Sequence, residues 1–161
     1  MMTSVLITGT SKGIGFETAL AFGRAGHQVY ATMRNPSQSP SLADCSAREN
    51  LPIKVSAMDV DFDQSVSDAI AAILKDGPID ILVNNAGIEA VGSVEEIPLS
   101  KFRAIMETNF FGALRCIQTI APADAPIFLT VCTLAHPRSS LVSTLRELLS
   151  TPNRKYKCRS N

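Results

Sequence analysis

Short apolar runs alternate, over the first 120 or so residues, with segments whose apolar side chains recur at helical spacing. Residues 4–7 form one such run, which leads into a glycine-containing turn. After the turn, Ala19, Leu20, Phe22 and Gly23 fall on one face of a helix that Gly26 closes. This pattern predicts a strand, a glycine turn and a helix in succession.

The same alternation continues along the chain. Residues 28–33, 53–58 and 79–83 read as further strands, while residues 41–49 and 66–74 read as helices between them. Strands that are apolar throughout, rather than alternately apolar and polar, are covered on both faces. The pattern therefore predicts an α/β fold with a parallel sheet between two layers of helices.

A longer helix is expected after residue 99, with Ser100 as its N-cap. Its expected inward stripe consists of Phe102, Ile105, Met106, Asn109, Ala113 and Ile117. Beyond Ile120 the pattern changes to a proline-broken loop over residues 121–126. A fifth strand over residues 127–134 and one amphipathic helix with Leu141, Leu145, Leu148 and Leu149 are expected next, followed by a polar, frayed tail over residues 151–161.

The composition narrows the class of protein. The 161 residues are 45% hydrophobic and 19% charged, with 15 basic and 15 acidic side chains spread along the chain. A chain of this kind forms one globular domain and is not expected to bind nucleic acid. Without a basic leader or a long apolar run, it is expected to be a cytoplasmic protein with no membrane contact. The 4 cysteines and 2 histidines lack the spacing of a metal site.

The glycine turn is the first candidate binding site in the sequence. Gly9, Gly13 and Gly15 lie between the first strand and the first helix. Glycines there let an anion approach the backbone, while the amide groups at the helix start and its dipole attract negative charge. Turns use glycine freely, so the three residues alone are weak evidence. Their position between strand and helix favours a phosphate-binding turn.

Two motifs together resemble those of the short-chain dehydrogenase/reductase family. They are Thr-Gly-x-x-x-Gly-Ile-Gly at residues 8–15 and Asn-Asn-Ala-Gly at residues 84–87. The likeness also includes Asn109 and Asp59-Val60, the pair that the resemblance assigns to the adenine of the cofactor, and extends from Thr3 to about Ile117. The resemblance implies a Rossmann-type, doubly wound sheet of about five strands in the order 3-2-1-4-5. It also implies a dinucleotide-binding domain over residues 1–120 and a divergent segment over residues 121–161.

The resemblance implies a nicotinamide dinucleotide as cofactor, and charge indicates which one. An acid at the end of the second strand holds the ribose 2′-hydroxyl of NAD, whereas NADP needs cations for its 2′-phosphate. This strand has no acid, Arg34 follows it and Lys12 lies in the glycine turn, so NADP(H) is expected. Both cations are also compatible with ordinary solvated surface charges. The expected cofactor residues are Gly9, Ser11, Lys12, Gly13, Ile14, Gly15, Arg34, Asp59, Val60, Asn85, Ala86 and Gly87.

The family's catalytic pair is not found in this sequence. Such enzymes use a tyrosine as general acid or base, with a lysine four residues later that lowers its pKa. Neither Tyr30 nor Tyr156 has a lysine at that spacing. The resemblance assigns Asn109 to the proton relay. Thr133 is a candidate for the family's catalytic serine, and an ordinary strand threonine is at least as compatible with its position.

Three interpretations follow. The first is an NADP(H)-dependent oxidoreductase by descent, whose intact form transfers hydride to a carbonyl or from a secondary alcohol, with little or no turnover expected of this chain. The second is a catalytically dead module that binds a nucleotide or forms homo- or hetero-oligomers through its long helix. The third is an incompletely folded fragment with an exposed sheet edge.

The end of the family likeness near Gln118 suggests a frameshift, an alternative exon or a truncation. Proline, serine and cysteine become more frequent after that residue. Translation of the coding DNA in its other two frames after codon 117 is then expected to restore a Tyr-x-x-x-Lys sequence.

Overall fold

The computed structural model describes residues 3–121 and 130–132. The strands are β1 (Ser4–Thr8), β2 (Gln28–Met33), β3 (Ile53–Ala57), β4 (Ile81–Asn84) and β5 (Thr130–Cys132). The helices are α1 (Gly13–Arg24), α2 (Ser41–Glu49), α3 (Asp63–Leu74), α4 (Leu99–Met106) and α5 (Gly112–Ile120). A 3₁₀ turn over Pro36–Gln38 precedes α2, and a π-helical turn over Glu107–Phe111 joins α4 to α5.

The five strands form one parallel sheet in the order β3-β2-β1-β4-β5, as predicted. The chain moves outward from β1 to β3 and then returns to the other side of β1 with β4. The strand order therefore reverses next to β1, and in such sheets the carboxyl ends of the strands at the reversal point open into a crevice.

Successive residues of each buried strand point to opposite sides, so both faces of the sheet carry apolar side chains. Helices cover both of these faces. On one side Leu6 and Leu82 pack with α3 and α5, where the buried residues are Val66, Ile70, Ile73, Cys116 and Ile120. On the other side Val5, Ile7 and Val83 pack with α1 and α2, where they are Ala19, Leu20, Phe22 and Leu42. The predicted two-sided covering of a parallel sheet is confirmed.

Together α4, the π-helical turn and α5 form the long helix, which differs from the prediction in two ways. Its N-cap is Pro98 rather than Ser100, because Pro98 keeps an extended ψ of 141° and accepts a hydrogen bond from the Lys101 amide at 2.9 Å. Met106, expected inside, is 49% exposed. The other five residues of the expected stripe are only partly buried, and the fully buried positions are Thr108, Gly112, Cys116 and Ile120.

The predictions for the C-terminal part are tested only at β5. The expected strand over residues 127–134 is represented by its middle, Thr130–Cys132, which pairs with β4. The amphipathic helix expected around residues 141–149 and the tail lie outside the described residues. Among the described helices, none is long and apolar enough to cross a membrane.

Candidate functional site

The glycine turn depends on backbone conformations that other residues adopt only with strain. Gly9 has a φ of +70° and Gly13 a φ of +64°. A Cβ at Gly9 would lie 2.6 Å from the Cα of Ala86, so the backbone after β4 passes directly against the turn. At Gly13 a Cβ would meet nothing within 4 Å, because that position opens into the cleft.

The first turn of α1 faces the cleft with no acidic residue. Lys12 is the N-cap, with an extended backbone at φ −164°, and no described side chain caps the helix. The amides of a helix start and its dipole attract anions, whereas an acidic residue there would repel one. This end of the cleft therefore favours a negatively charged group.

The segment after β4 braces the glycine turn through Thr8 and Asn85. The Thr8 Oγ1 accepts hydrogen bonds from the amides of Asn85 at 3.0 Å and Ala86 at 2.9 Å. The Asn85 Nδ2 donates to the carbonyl oxygens of Thr8 and Gly9, each at 2.9 Å. A Cβ at Gly15 would collide with the Asn85 side chain and the Gly9 carbonyl. The two motifs of the sequence thus form one hydrogen-bonded unit.

Asn109 fixes the next part of the same segment. Its Oδ1 accepts from the Ile88 amide at 2.9 Å, and its Nδ2 donates to the Ile88 carbonyl at 3.0 Å. A Cβ at Gly87 would lie 3.3 Å from the Asn109 Oδ1, so this residue too is closely approached. The side-chain amide of Asn109 is occupied by the backbone of Ile88 and holds that loop against the long helix.

The loop after β3 and the first residue of α3, together named the Asp59–Asp63 loop, form another wall of the cleft through Asp59, Val60 and Asp61. The Asp59 Oδ1 accepts from the Asp61 amide at 3.1 Å, and the Asp61 Oδ2 accepts from the Thr108 Oγ1 at 3.1 Å. Arg115 of α5 contacts this loop as well, and its hydrogen bond to Glu107 is the main reason that the pKa of Arg115 is raised. The Asp59–Asp63 loop is therefore tied to the long helix.

The cleft has a volume of roughly 470 Å³ and gathers most of the predicted residues. Those that line it are Gly9, Ser11, Lys12, Gly13, Ile14, Arg34, Asp59, Val60, Asn85, Ala86, Gly87 and Asn109. Gly15 is buried behind the turn, and Thr133 lies outside the described residues.

The cleft also contains residues that the sequence interpretation missed. They are Met33, Met58, Asp61, Ile88, Glu89 and Thr108. A signal was available for the first two, because Met33 directly precedes Arg34 and Met58 directly precedes Asp59, at the carboxyl ends of β2 and β3. Thr108 carried no such signal, since it points toward the cleft only once the long helix has docked.

Comparisons with known proteins indicate the same family as the two motifs. A family model described as short chain dehydrogenase matches residues 3–125, somewhat beyond the predicted limit at Ile117. Retinol dehydrogenase 8 from Bos taurus is 38% identical over 125 residues, which cover 74% of this chain and 39% of that protein. Gluconate 5-dehydrogenase from Gluconobacter oxydans is 33% identical over 134 residues, covering 80% of this chain and 52% of that protein.

A solved structure of a dehydrogenase is also similar to this chain. The crystal structure of a gluconate 5-dehydrogenase from Burkholderia cenocepacia J2315, in complex with NADP and tartrate, superposes with a TM-score of 0.69 at 30% identity. The match covers 75% of this chain and 48% of that one. The chain therefore spans about half, or less, of the length of these proteins.

Proposed function

Since the chain belongs to the short-chain dehydrogenase family, we propose that its cleft binds a nicotinamide dinucleotide and prefers NADP(H) to NAD(H). The observation that carries the preference is the position of two cations. Lys12 and Arg34 both line the cleft, one at the start of α1 and the other directly after β2. In the part of the chain that the structure describes, no acid forms an ion pair with either side chain.

The walls of the cleft fit the parts of such a cofactor. The amides at the start of α1 suit a pyrophosphate, because they offer hydrogen-bond donors at the positive end of a helix dipole. The exposed guanidinium of Arg34 suits a ribose 2′-phosphate, which it can contact with two parallel hydrogen bonds. Met33, Met58 and Val60 supply apolar surface beside it, as the base of a nucleotide requires.

The cofactor preference is tested by fluorescence titration with NADPH and with NADH. We expect tighter binding of NADPH, and we expect Arg34→Glu to lower the affinity for NADPH by about tenfold or more, the cost of losing a charged hydrogen bond. Affinity for NADH should change far less. Arg48→Glu is the matched control, because Arg48 is exposed on α2 and does not line the cleft. Equal affinities for both nucleotides in the wild-type protein would contradict the preference.

We also propose that these 161 residues do not turn over a substrate at the rates of the family's enzymes. Tyr30, the tyrosine among the described residues, lies in β2 away from the cleft, and its hydroxyl is 3.4 Å from the Asp76 Oδ2. Asn109 remains a candidate for the proton relay, and Thr133 a candidate for the serine position. Oxidation of NADPH in the presence of a panel of ketones and aldehydes measures this, and steady turnover at ordinary enzyme rates would refute it.

A second candidate function is association with another copy of the chain or with an intact family member. The long helix leaves apolar side chains in contact with solvent: Met106 at 49% exposed, Phe110 at 50%, Phe111 at 47% and Leu114 at 37%. Exposed apolar surface of this kind favours a protein partner. Light scattering after size-exclusion chromatography tests this, and a monomer at high concentration would argue against self-association.

A further inference from the structure

Arg115 makes more contacts than a surface ion pair requires. Its Nε donates to the Asp63 Oδ1, its Nη1 to the Val60 carbonyl oxygen, and its Nη2 to the Glu107 Oε1 at 2.7 Å. The Arg115 side chain is 19% exposed, whereas that of Asp63 is 88% exposed. Because a guanidinium is a planar fork of donors, one side chain can satisfy all three acceptors at once.

The same face of the helix approaches the loop at two further points. The Thr108 hydroxyl donates to the Asp61 Oδ2 at 3.1 Å. A Cβ at Gly112 would lie 2.9 Å from the Val60 Cγ2, so the helix backbone rests against Val60. Thr108, Gly112 and Arg115 are spaced to lie on one helix face, and together they hold Val60, Asp61 and Asp63.

Two of the residues held in this way, Val60 and Asp61, line the cleft, whereas Asp63 and Arg115 do not. Asp59, Val60 and Asp61 are part of the wall, next to Met58. The carboxylates of Asp59 and Asp61 lie on this wall, and a carboxylate oxygen that faces the cleft accepts a hydrogen bond from the amino group of a nucleotide base.

From these contacts we infer that Arg115 is a positioning residue, which keeps the Asp59–Asp63 loop in the shape that distinguishes an adenine from a base without an amino group. This inference rests on the proposed binding of NADP(H). Arg115 acts through the loop and touches no part of the nucleotide itself. Arg115 also ties α5 to α3 through Asp63, the first residue of α3, and if that were its whole role its loss would weaken every ligand equally.

The test compares NADPH with its hypoxanthine analogue, in which the amino group of the base is replaced by an oxygen. Both carry the same fluorescent nicotinamide, so both dissociation constants come from the same titration. We expect the wild-type protein to prefer NADPH by about tenfold or more, the worth of one hydrogen bond to a charged group. In Arg115→Met the preference should fall below about twofold, and in Arg115→Lys it should be intermediate, because a single ammonium cannot bridge three acceptors.

Arg24→Met is the matched control. Arg24 also forms an ion pair through two hydrogen bonds of 2.7 Å, to Glu49, but it joins α1 to α2 and lies outside the cleft. This variant should keep the wild-type preference.

The outcomes separate the two claims. A wild-type protein that binds neither nucleotide contradicts the proposed function. A protein that binds both equally well, or an Arg115→Met variant that keeps the wild-type preference, overturns the role of Arg115 alone. If Arg115→Met does not fold, Arg115→Lys decides, and an unchanged preference in that variant overturns the inference.

Discussion

The glycine turn and the Asp59–Asp63 loop line the same cleft, but different contacts hold them in place. The turn is built from its own backbone and from the segment after β4, which reaches it through Thr8 and Asn85. The loop is held from outside, by side chains of a helix about 50 residues further along the chain. A motif can encode the first arrangement, whereas the second exists only after the long helix has packed. The two walls should therefore respond differently to substitution.

The largest effect is expected for Gly9→Ala. The new methyl group would need a left-handed conformation and would lie 2.6 Å from the Cα of Ala86, where the backbone cannot yield. We expect the free energy of unfolding to fall by about 3–5 kcal/mol, from the strained conformation and the overpacking together. Urea unfolding followed by circular dichroism measures this. Wild-type stability in this variant would show that the turn tolerates a side chain.

Thr8→Val tests the hydrogen bonds that join the turn to the segment after β4. The substitution keeps the shape of the side chain but leaves the amides of Asn85 and Ala86 without their acceptor. We expect the free energy of unfolding to fall by about 2–3 kcal/mol, since two hydrogen bonds to partly buried amides are lost at once.

Thr32→Val is the control for this change. Thr32 is equally buried, but its hydroxyl only donates to the Ile7 carbonyl at 3.2 Å. The Thr32→Val substitution should lower the free energy of unfolding by about 1 kcal/mol. Equal losses in the two variants would mean that Thr8 has no special part in joining the motifs.

The contrast between the two walls explains which parts of the site the sequence could reveal. The glycine turn, Arg34 and the segment at residues 84–87 were predictable, because each follows directly from a strand end and its own local residues. The contacts of Arg115 and Thr108 were not. Thr8 and Asn85 are further apart in the chain, but each belongs to a motif at a strand end, whereas no spacing indicates which helix face will meet the loop.

The error in the long helix has a related cause. A regular period of 3.6 residues places Met106 and Asn109 on one buried stripe, but the π-helical turn at Glu107–Phe111 shifts the faces on either side of it. The face that docks carries small residues such as Gly112, because a larger one would collide with Val60. The apolar Phe110 and Phe111, which the predicted stripe did not include, are left outside.

The helix that holds the loop also carries a buried titratable group, which makes its stability depend on pH. Burial raises the pKa of the Cys116 thiol from 9.0 to about 11. The folded state therefore favours the neutral thiol. The contribution of this thiol to the free energy of unfolding is fully present below pH 9 and is lost as the pH rises toward 11. We expect a loss of about 2 kcal/mol over that range, which Cys116→Ala should remove. Urea unfolding at several pH values measures it, and identical pH profiles for the two proteins would contradict it.

The smallest effects on stability come from a matched pair of glycines, Gly13 and Gly26. Both have a positive φ, +64° and +81°, and at both a Cβ would meet nothing within 4 Å. An alanine at either position should therefore cost only the strain of the backbone, about 1 kcal/mol. They differ in one respect, since Gly13 lines the cleft and Gly26 follows the far end of α1.

Titration of the two variants with NADPH separates the role of Gly13 in binding from its role in folding. Gly13→Ala places a methyl group where a pyrophosphate would approach the amides of α1, and we expect its affinity for NADPH to fall by about tenfold or more, as for a lost charged hydrogen bond. Gly26→Ala should bind as the wild-type protein does. Because backbone strain is matched in the pair, a difference in affinity comes from the cleft. Equal affinities would mean that the anion does not approach the glycine turn at Gly13, and the assignment of this wall to the phosphates would have to be abandoned.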